Sequence, residues 1–168
     1  LIRAASTQTG DYVYNANGQR AKKTVAGTAT HFIFDQQGSL IAETEQNGTV
    51  IAEYVYLNGE PMAKIDADGV NYIHTDHLGT PVMMSDAGGA KVWEIEARPF
   101  GDGATVTGTG SLNLRFPGQY NDAESGLNYN FFRDYNPAIG RYVEADPIGI
   151  ERGKNHLYGF TDNNPVNR

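Results

Sequence analysis

The sequence predicts a mainly β protein: antiparallel β-hairpin repeats over residues 1–102, then a mixed, turn-rich segment. Three observations carry this. Glycine and tyrosine are abundant, at 20 and 10 of 168 residues, and many glycines among aromatic and β-branched residues mark short strands joined by tight turns. Glycines recur at 18, 27, 38, 48, 59, 69, 79, 89 and 101, in steps of nine to twelve residues. Before every second glycine stands a pair of large side chains spaced i, i+2.

Each element follows from this beat. Gly, Asn and Asp tolerate the positive φ that tight turns need, so a hairpin turn is expected at each glycine. One set of turns follows YVYNANG (12–18), FIFDQQG (32–38), YVYLNG (54–59) and YIHTDHLG (72–79); the other lies in VAGTA, QNGT, ADGV and AGGA. The period is therefore two strands and two turns, about twenty residues. Residues i and i+2 share a strand face. Tyr12/Tyr14, Phe32/Phe34, Tyr54/Tyr56 and Tyr72/His74 are thus expected to form one stripe, with Val13, Ile33, Val55 and Ile73 on the other face. Residues 103–111, rich in Gly and Thr, are expected to be a linker or excursion. From 112 to 168 the beat is lost. There NDAESG and NPAIG read as turns, LNYNFFRDY and RYVEA as strands, and IERGKNHLYGF as a short helix or an irregular turn.

Composition narrows the function. Thirteen basic against 20 acidic residues give a net charge of −7, which argues against nucleic acid as a partner. Cysteine is absent, which removes disulfides and zinc–thiolate sites. No run of apolar residues is long enough to span a membrane as a helix, and no signal-peptide pattern opens the sequence. The opening, LIRAASTQTGDYVY, begins in mid-pattern, as a piece of a longer chain would.

The run Tyr-x-Tyr-(Asn/Asp)-x-x-Gly-x-(Arg/Leu), at a twenty-residue period, resembles the YD repeats of the RHS family. YIHTDHLGTP (72–81) looks like that family's HTDHLGTP segment, and RFPGQYNDAESGLNYNFFRDYNPAIGRYVEADPIG (115–149) closely resembles its repeat-associated core domain. The resemblance implies a β-sheet strip that spirals into a hollow shell, sealed at one end by a core domain over 112–168. It implies as partners the rest of the shell, an enclosed C-terminal toxin and secretion-apparatus proteins. It also implies secretion or delivery by a bacterial system, or attachment at the cell surface. In many members the core domain is an aspartyl autoprotease.

Asp146, in the DPIG segment, matches the position the family uses as a catalytic aspartate. Two close carboxylates share a proton, one acting as base toward water while the other protonates the amide. The family's second aspartate lies in another DPxG motif about twenty residues downstream, which this sequence does not contain; Asp162 does not match it. From the residues alone, Asp146 also reads as a turn former, because a residue before proline is pushed extended. Arg141 and Arg133 are candidate partners, since an arginine favours and orients an adjacent carboxylate. Arg141 is taken with Asp146 as a site residue, and Arg133 as half of a surface salt bridge. His74, Asp76 and His77 are expected to shape a repeat turn. No metal site or cofactor is expected. A rival reading is an aromatic β-repeat surface module that binds glycan or a cell-surface ligand, for which Tyr54 would be a contact.

Overall fold

The computed structural model describes residues 2–3, 10–149 and 156–167. Eleven strands form one antiparallel meander: β1 (Ile2–Arg3), β2 (Gly10–Tyr14), β3 (Arg20–Val25), β4 (Thr28–Phe34), β5 (Leu40–Glu45), β6 (Val50–Leu57), β7 (Glu60–Asp66), β8 (Gly69–Thr75), β9 (Pro81–Ser85), β10 (Lys91–Glu96) and β11 (Thr105–Gly108). A second meander of four follows: β12 (Tyr120–Asp122), β13 (Leu127–Asn130), β14 (Arg133–Asn136) and β15 (Arg141–Tyr142). A 3-10 turn covers Thr161–Asn163.

The glycine beat builds the strip. All nine of those glycines adopt positive φ, from +80° to +104°. Ala26–Gly27 and Asn58–Gly59 make two-residue turns with both φ values positive, the geometry whose twist matches paired strands. Longer turns open on Asn15, Asp35, Asp76 or Asp86. In each, the side-chain oxygen accepts from the backbone N–H groups two and four residues on.

Each aromatic hairpin also carries a bulge at the same place. Tyr14 pairs with Arg20, Phe34 with Leu40, Tyr56 with Pro61 and Thr75 with Pro81, and the register shifts by one residue beside every one of these pairs. A bulge bends its strand and increases the twist, so repeating it hairpin after hairpin drives the strip away from a flat sheet.

Three expectations need correction. Tyr72 and His74 do not continue the aromatic stripe: both are exposed, while Asn71 and Ile73 are buried. The turn sets the register, not the aromatics. Asp76 stands where Asn15 and Asp35 stand, so Ile73 and Thr75 take the places of Tyr12 and Tyr14, and a one-residue slip reverses the faces. The segment 103–111 contains β11, which extends the sheet from β10. Gly108 permits this, because at φ +102° its missing side chain lets it lie against the Val92 carbonyl. LNYNFFRDY is a hairpin, β13–β14, that reverses at Phe131 and Phe132, with Phe131 at φ +58°. Residues 150–155 of IERGKNHLYGF lie outside the described residues; His156–Phe160 forms no helix.

The small sheet packs on the Tyr12–Phe32–Tyr54 face of the strip. One core joins Phe32, Tyr54, Ile73, Met84 and Trp93 to Leu112, Leu114, Tyr120 and Tyr129, with the Phe32 and Tyr120 rings edge to face at 5.1 Å. A second core holds Tyr135, Tyr142 and Phe160 with Phe100 and Phe116. Val13, Ile33 and Val55 stay exposed on the opposite face.

Candidate functional site

Asp146 opens a turn just beyond β15. Its Oδ1 accepts from the Ile148 N–H at 3.0 Å, its carbonyl accepts from Gly149 N–H at 2.9 Å, and its own N–H donates to Leu157 O at 2.8 Å. These bonds lock the backbone and leave Oδ2 facing a cation: Arg133 Nη1 lies 3.0 Å away, with the two side chains 20% and 22% exposed for Arg133 and Asp146. The Arg133 guanidinium stacks 3.6 Å over the Tyr142 ring, and the Tyr142 hydroxyl accepts from Asn130 Nδ2 at 2.7 Å. An arginine held over a ring face keeps little freedom to leave its carboxylate.

The arginine beside Asp146 is therefore Arg133. Tyr142 takes the buried side of β15, which turns Arg141 outward. Arg141 is exposed, forms no ion pair among the described residues, and meets Asn136 and Gly159 through its backbone. Asp162 lies in the 3-10 turn, at φ +51°.

The HTDH segment divides its side chains. His74 Nε2 is 2.9 Å from Ser85 Oγ, His77 Nε2 is 2.8 Å from the Val166 carbonyl, and Asp76 holds its own turn. Among the described residues no group of three or more His, Cys, Asp or Glu is placed to hold a metal ion.

A buried cluster of charge lies where the small sheet meets β2 and β3. Arg20, 1% exposed, places Nη1 2.7 Å from both oxygens of Asp122, and Nη2 3.8 Å from Asp134. Its guanidinium sits between the Tyr12 and Tyr129 rings, at 4.4 and 4.1 Å. Lys23 reaches Asp122 at 3.0 Å and Glu124 at 3.3 Å, and the Tyr12 hydroxyl donates to Glu124 at 2.9 Å. Burial pushes the Asp122 carboxyl up despite both cations. Asp134 is pushed up to about 6, by burial first and then by Glu144 and Asp122, against the pull of Arg20. A second knot lies further along, where Tyr54 and Tyr120 both donate to Glu43, at 2.6 and 2.8 Å.

A meander of bulged hairpins capped by a small sheet is an arrangement that known proteins share. The family model described as Teneurin YD-shell matches residues 1–166. The chain belongs to the Teneurin YD-shell family. Among its curated relatives, Toxin protein Tse5 of Pseudomonas aeruginosa is 42% identical over 97 residues, covering 58% of the chain and 7% of Tse5. The probable deoxyribonuclease RhsB of Dickeya dadantii is 32% identical over 178 residues, covering 96% of the chain and 12% of RhsB. The chain thus spans a small fraction of these relatives' length. Among solved structures, the Tc holotoxin pore of Photorhabdus luminescens superposes with a TM-score of 0.73 at 21% identity, covering 96% of this chain and 9% of that one. That likeness shows a common fold.

In YD-shell terms, Arg20 is the arginine of the repeat motif, and its position in the next hairpin is Leu40. An arginine where the neighbouring repeat has a buried leucine was the available signal of a buried ion pair. Its partner, Asp122, lies 102 residues away in a stretch that reads as a turn, so the pair itself was out of reach. Arg133 was visible only as a surface charge.

Proposed function

We propose that the chain is a section of shell wall together with the seal that closes it, in a bacterial toxin that encloses its own C-terminal polypeptide and is exported or delivered by a secretion system. In the complete protein Asp146 takes part in a single self-cleavage that frees the enclosed polypeptide. The observation that carries this is the setting of Asp146: a backbone-locked carboxylate, still a fifth exposed, held by Arg133 at the end of the small sheet. The physical logic is proximity. A tethered, enclosed peptide has a very high effective concentration, so one carboxylate pair suffices for one turnover. The partner carboxylate would come from the downstream chain. The glycan-binding reading loses support, because Tyr12, Phe32 and Tyr54 lie buried under the small sheet and present no open aromatic platform.

The test extends the chain through the next DPxG motif of the parent protein. The extended protein is expected to cleave itself once, Asp146→Asn to stay intact with the shell assembled, and Asp162→Asn to cleave normally, by denaturing gel and intact mass. Full cleavage in Asp146→Asn returns Asp146 to a turn former.

A further inference from the structure

Arg115 is a partly buried arginine whose described partners include no acid. It opens the turn that leads into β12, with its N–H donating to Gln119 O at 3.0 Å. Its Nη1 donates to the carbonyls of Leu112 and Leu114, both at 2.8 Å, and Nη2 reaches Asn121 Oδ1 at 3.4 Å. Every acceptor is neutral. Arg20, Arg98 and Arg133 all pair with aspartates; Arg115 pairs with no carboxylate among the described residues. Burial pushes its guanidinium down to about 10, the direction expected of a cation that lacks a counter-charge.

Arg115 and Asn121, which accepts from its Nη2, both line a cavity of about 560 Å³ between the strip and the small sheet. Val82, Ile95, Phe116, Pro137 and Val166 give it mainly apolar walls. The acids on its lining do not neutralise Arg115: Asp76 Oδ1 is held by the N–H groups of Leu78 and Thr80 at 2.9 Å each, and neither Asp76 nor Glu96 pairs with the arginine. The polar end is orderly. Asn121 Nδ2 donates to Asn128 Oδ1 at 3.0 Å and Asn128 Nδ2 to Gln119 Oε1 at 2.9 Å. This relay fixes the amide that faces Arg115.

We propose that Arg115 and this cavity form a binding site for an apolar carboxylate, with the carboxylate on the guanidinium and the hydrocarbon chain against Val82, Ile95 and Phe116. A guanidinium fork matches a carboxylate in shape and charge, and an apolar cavity with a few convergent polar groups is the usual form of a small-ligand site. Two sources share this chemistry: a free short-chain acid, or the C-terminal residue of a polypeptide. The site is independent of Asp146 and of self-cleavage.

The experiment titrates the chain with 4-methylpentanoate and with acetyl-Gly-Gly-Leu, each as free acid and as amide, following the arginine Nε–H signals by NMR. The free acids are expected to shift the Arg115 signal and the amides to bind at least about tenfold more weakly, the loss expected when a charge-assisted pair is not made. Binding of both acids assigns the site to carboxylates at large; binding of the peptide acid alone assigns it to a polypeptide C-terminus. Arg115→Gln should abolish the preference for acid over amide. Since Arg115 also bonds two carbonyls, a second variant guards against misfolding: Val106→Trp, on the edge strand lining the cavity, should block binding and leave the fold intact. Equal binding of acids and amides, an equal response to inorganic phosphate, no response to any probe, or undiminished binding in Val106→Trp would overturn the proposal.

Discussion

The junction between the strip and the chain that follows it, from Leu112 through the small sheet, has two ends built on opposite physics. Along β8 to β10 it is apolar: Ile73, Met84 and Trp93 meet Leu112, with Met84 and Trp93 at 0% and 1% exposure. Along β2 and β3 it is ionic, centred on Arg20 and Asp122. Burying hydrocarbon stabilises at about 25 cal/mol per Å² wherever the pieces fit. A buried ion pair contributes little net stability, because desolvation opposes the Coulomb gain, but it penalises every arrangement that separates the charges. The apolar end therefore holds the two layers together, and the ionic end makes any slipped arrangement costly.

The largest effect should come from breaking the ionic end on one side only. Asp122→Ala leaves Arg20 buried without its main partner and should cost about 3–5 kcal/mol in chemical denaturation. Replacing both, Arg20→Leu with Asp122→Leu, should recover most of that loss, since Leu40 already fills the equivalent position one hairpin on. If the double variant is as unstable as the single, the pair adds real stability and the two ends do not differ in kind.

A turn substitution comes next, acting on the strip alone. Gly59 sits at φ +85° with nothing within 4 Å of where a Cβ would be, so Gly59→Val meets backbone strain and no clash. A cost of about 1–3 kcal/mol is expected from denaturation. An unchanged midpoint would mean that the turn rearranges without penalty.

The ionic end should also respond to pH. The Asp134 carboxyl is held at about 6 against an ordinary 3.8. Above pH 6 it is charged in both the folded and unfolded states, and the folded state carries the penalty. As pH falls from 6 towards 3.8 the folded protein takes up the proton first, so this group adds stability across that window. Asp134→Asn should remove that dependence and stabilise the protein at pH 8 by about 1–2 kcal/mol. A variant less stable at pH 8 would show that the 3.8 Å approach of Arg20 outweighs burial.

The same contrast explains what the sequence made legible. The strip repeats, so one local rule, a glycine at positive φ every ten residues or so, places nearly every hairpin. The rule faltered where two local signals disagreed: at Tyr72 the aromatic spacing and the Asp76 turn were one residue out of step, and the turn prevailed because its hydrogen bonds fix the register. It also faltered at β11, where low apolarity reads as a linker but edge pairing to β10 needs no apolar side chain. The small sheet follows no repeat. Its reversal at Phe131 and Phe132 uses residues that favour strands, and tertiary packing of Tyr129 and Tyr135 overrides that preference. The turn at Asp146 was legible from the proline that follows it. Its arginine was not, since a count along β15 cannot see across to β14.

The smallest expected effect addresses that arginine. Arg133 and Asp146 are partly exposed, so Arg133→Gln should cost at most about 1 kcal/mol, part of it lost stacking on Tyr142. Arg141→Gln, with no ion pair among the described residues to lose, should stay within about 0.5 kcal/mol of the parent. The informative readout is cleavage in the extended protein, where small stability changes do not obscure the result. If the observed pairing serves Asp146, Arg133→Gln slows self-cleavage while Arg133→Lys, which keeps the charge but loses the planar fork, recovers part of it. Arg141→Gln then cleaves at the parental rate. The opposite pattern, with loss only in Arg141→Gln, would mean that the downstream chain draws Arg141 in from its exposed position and that the Arg133 pair only shapes the turn. Time courses on a denaturing gel separate the two outcomes.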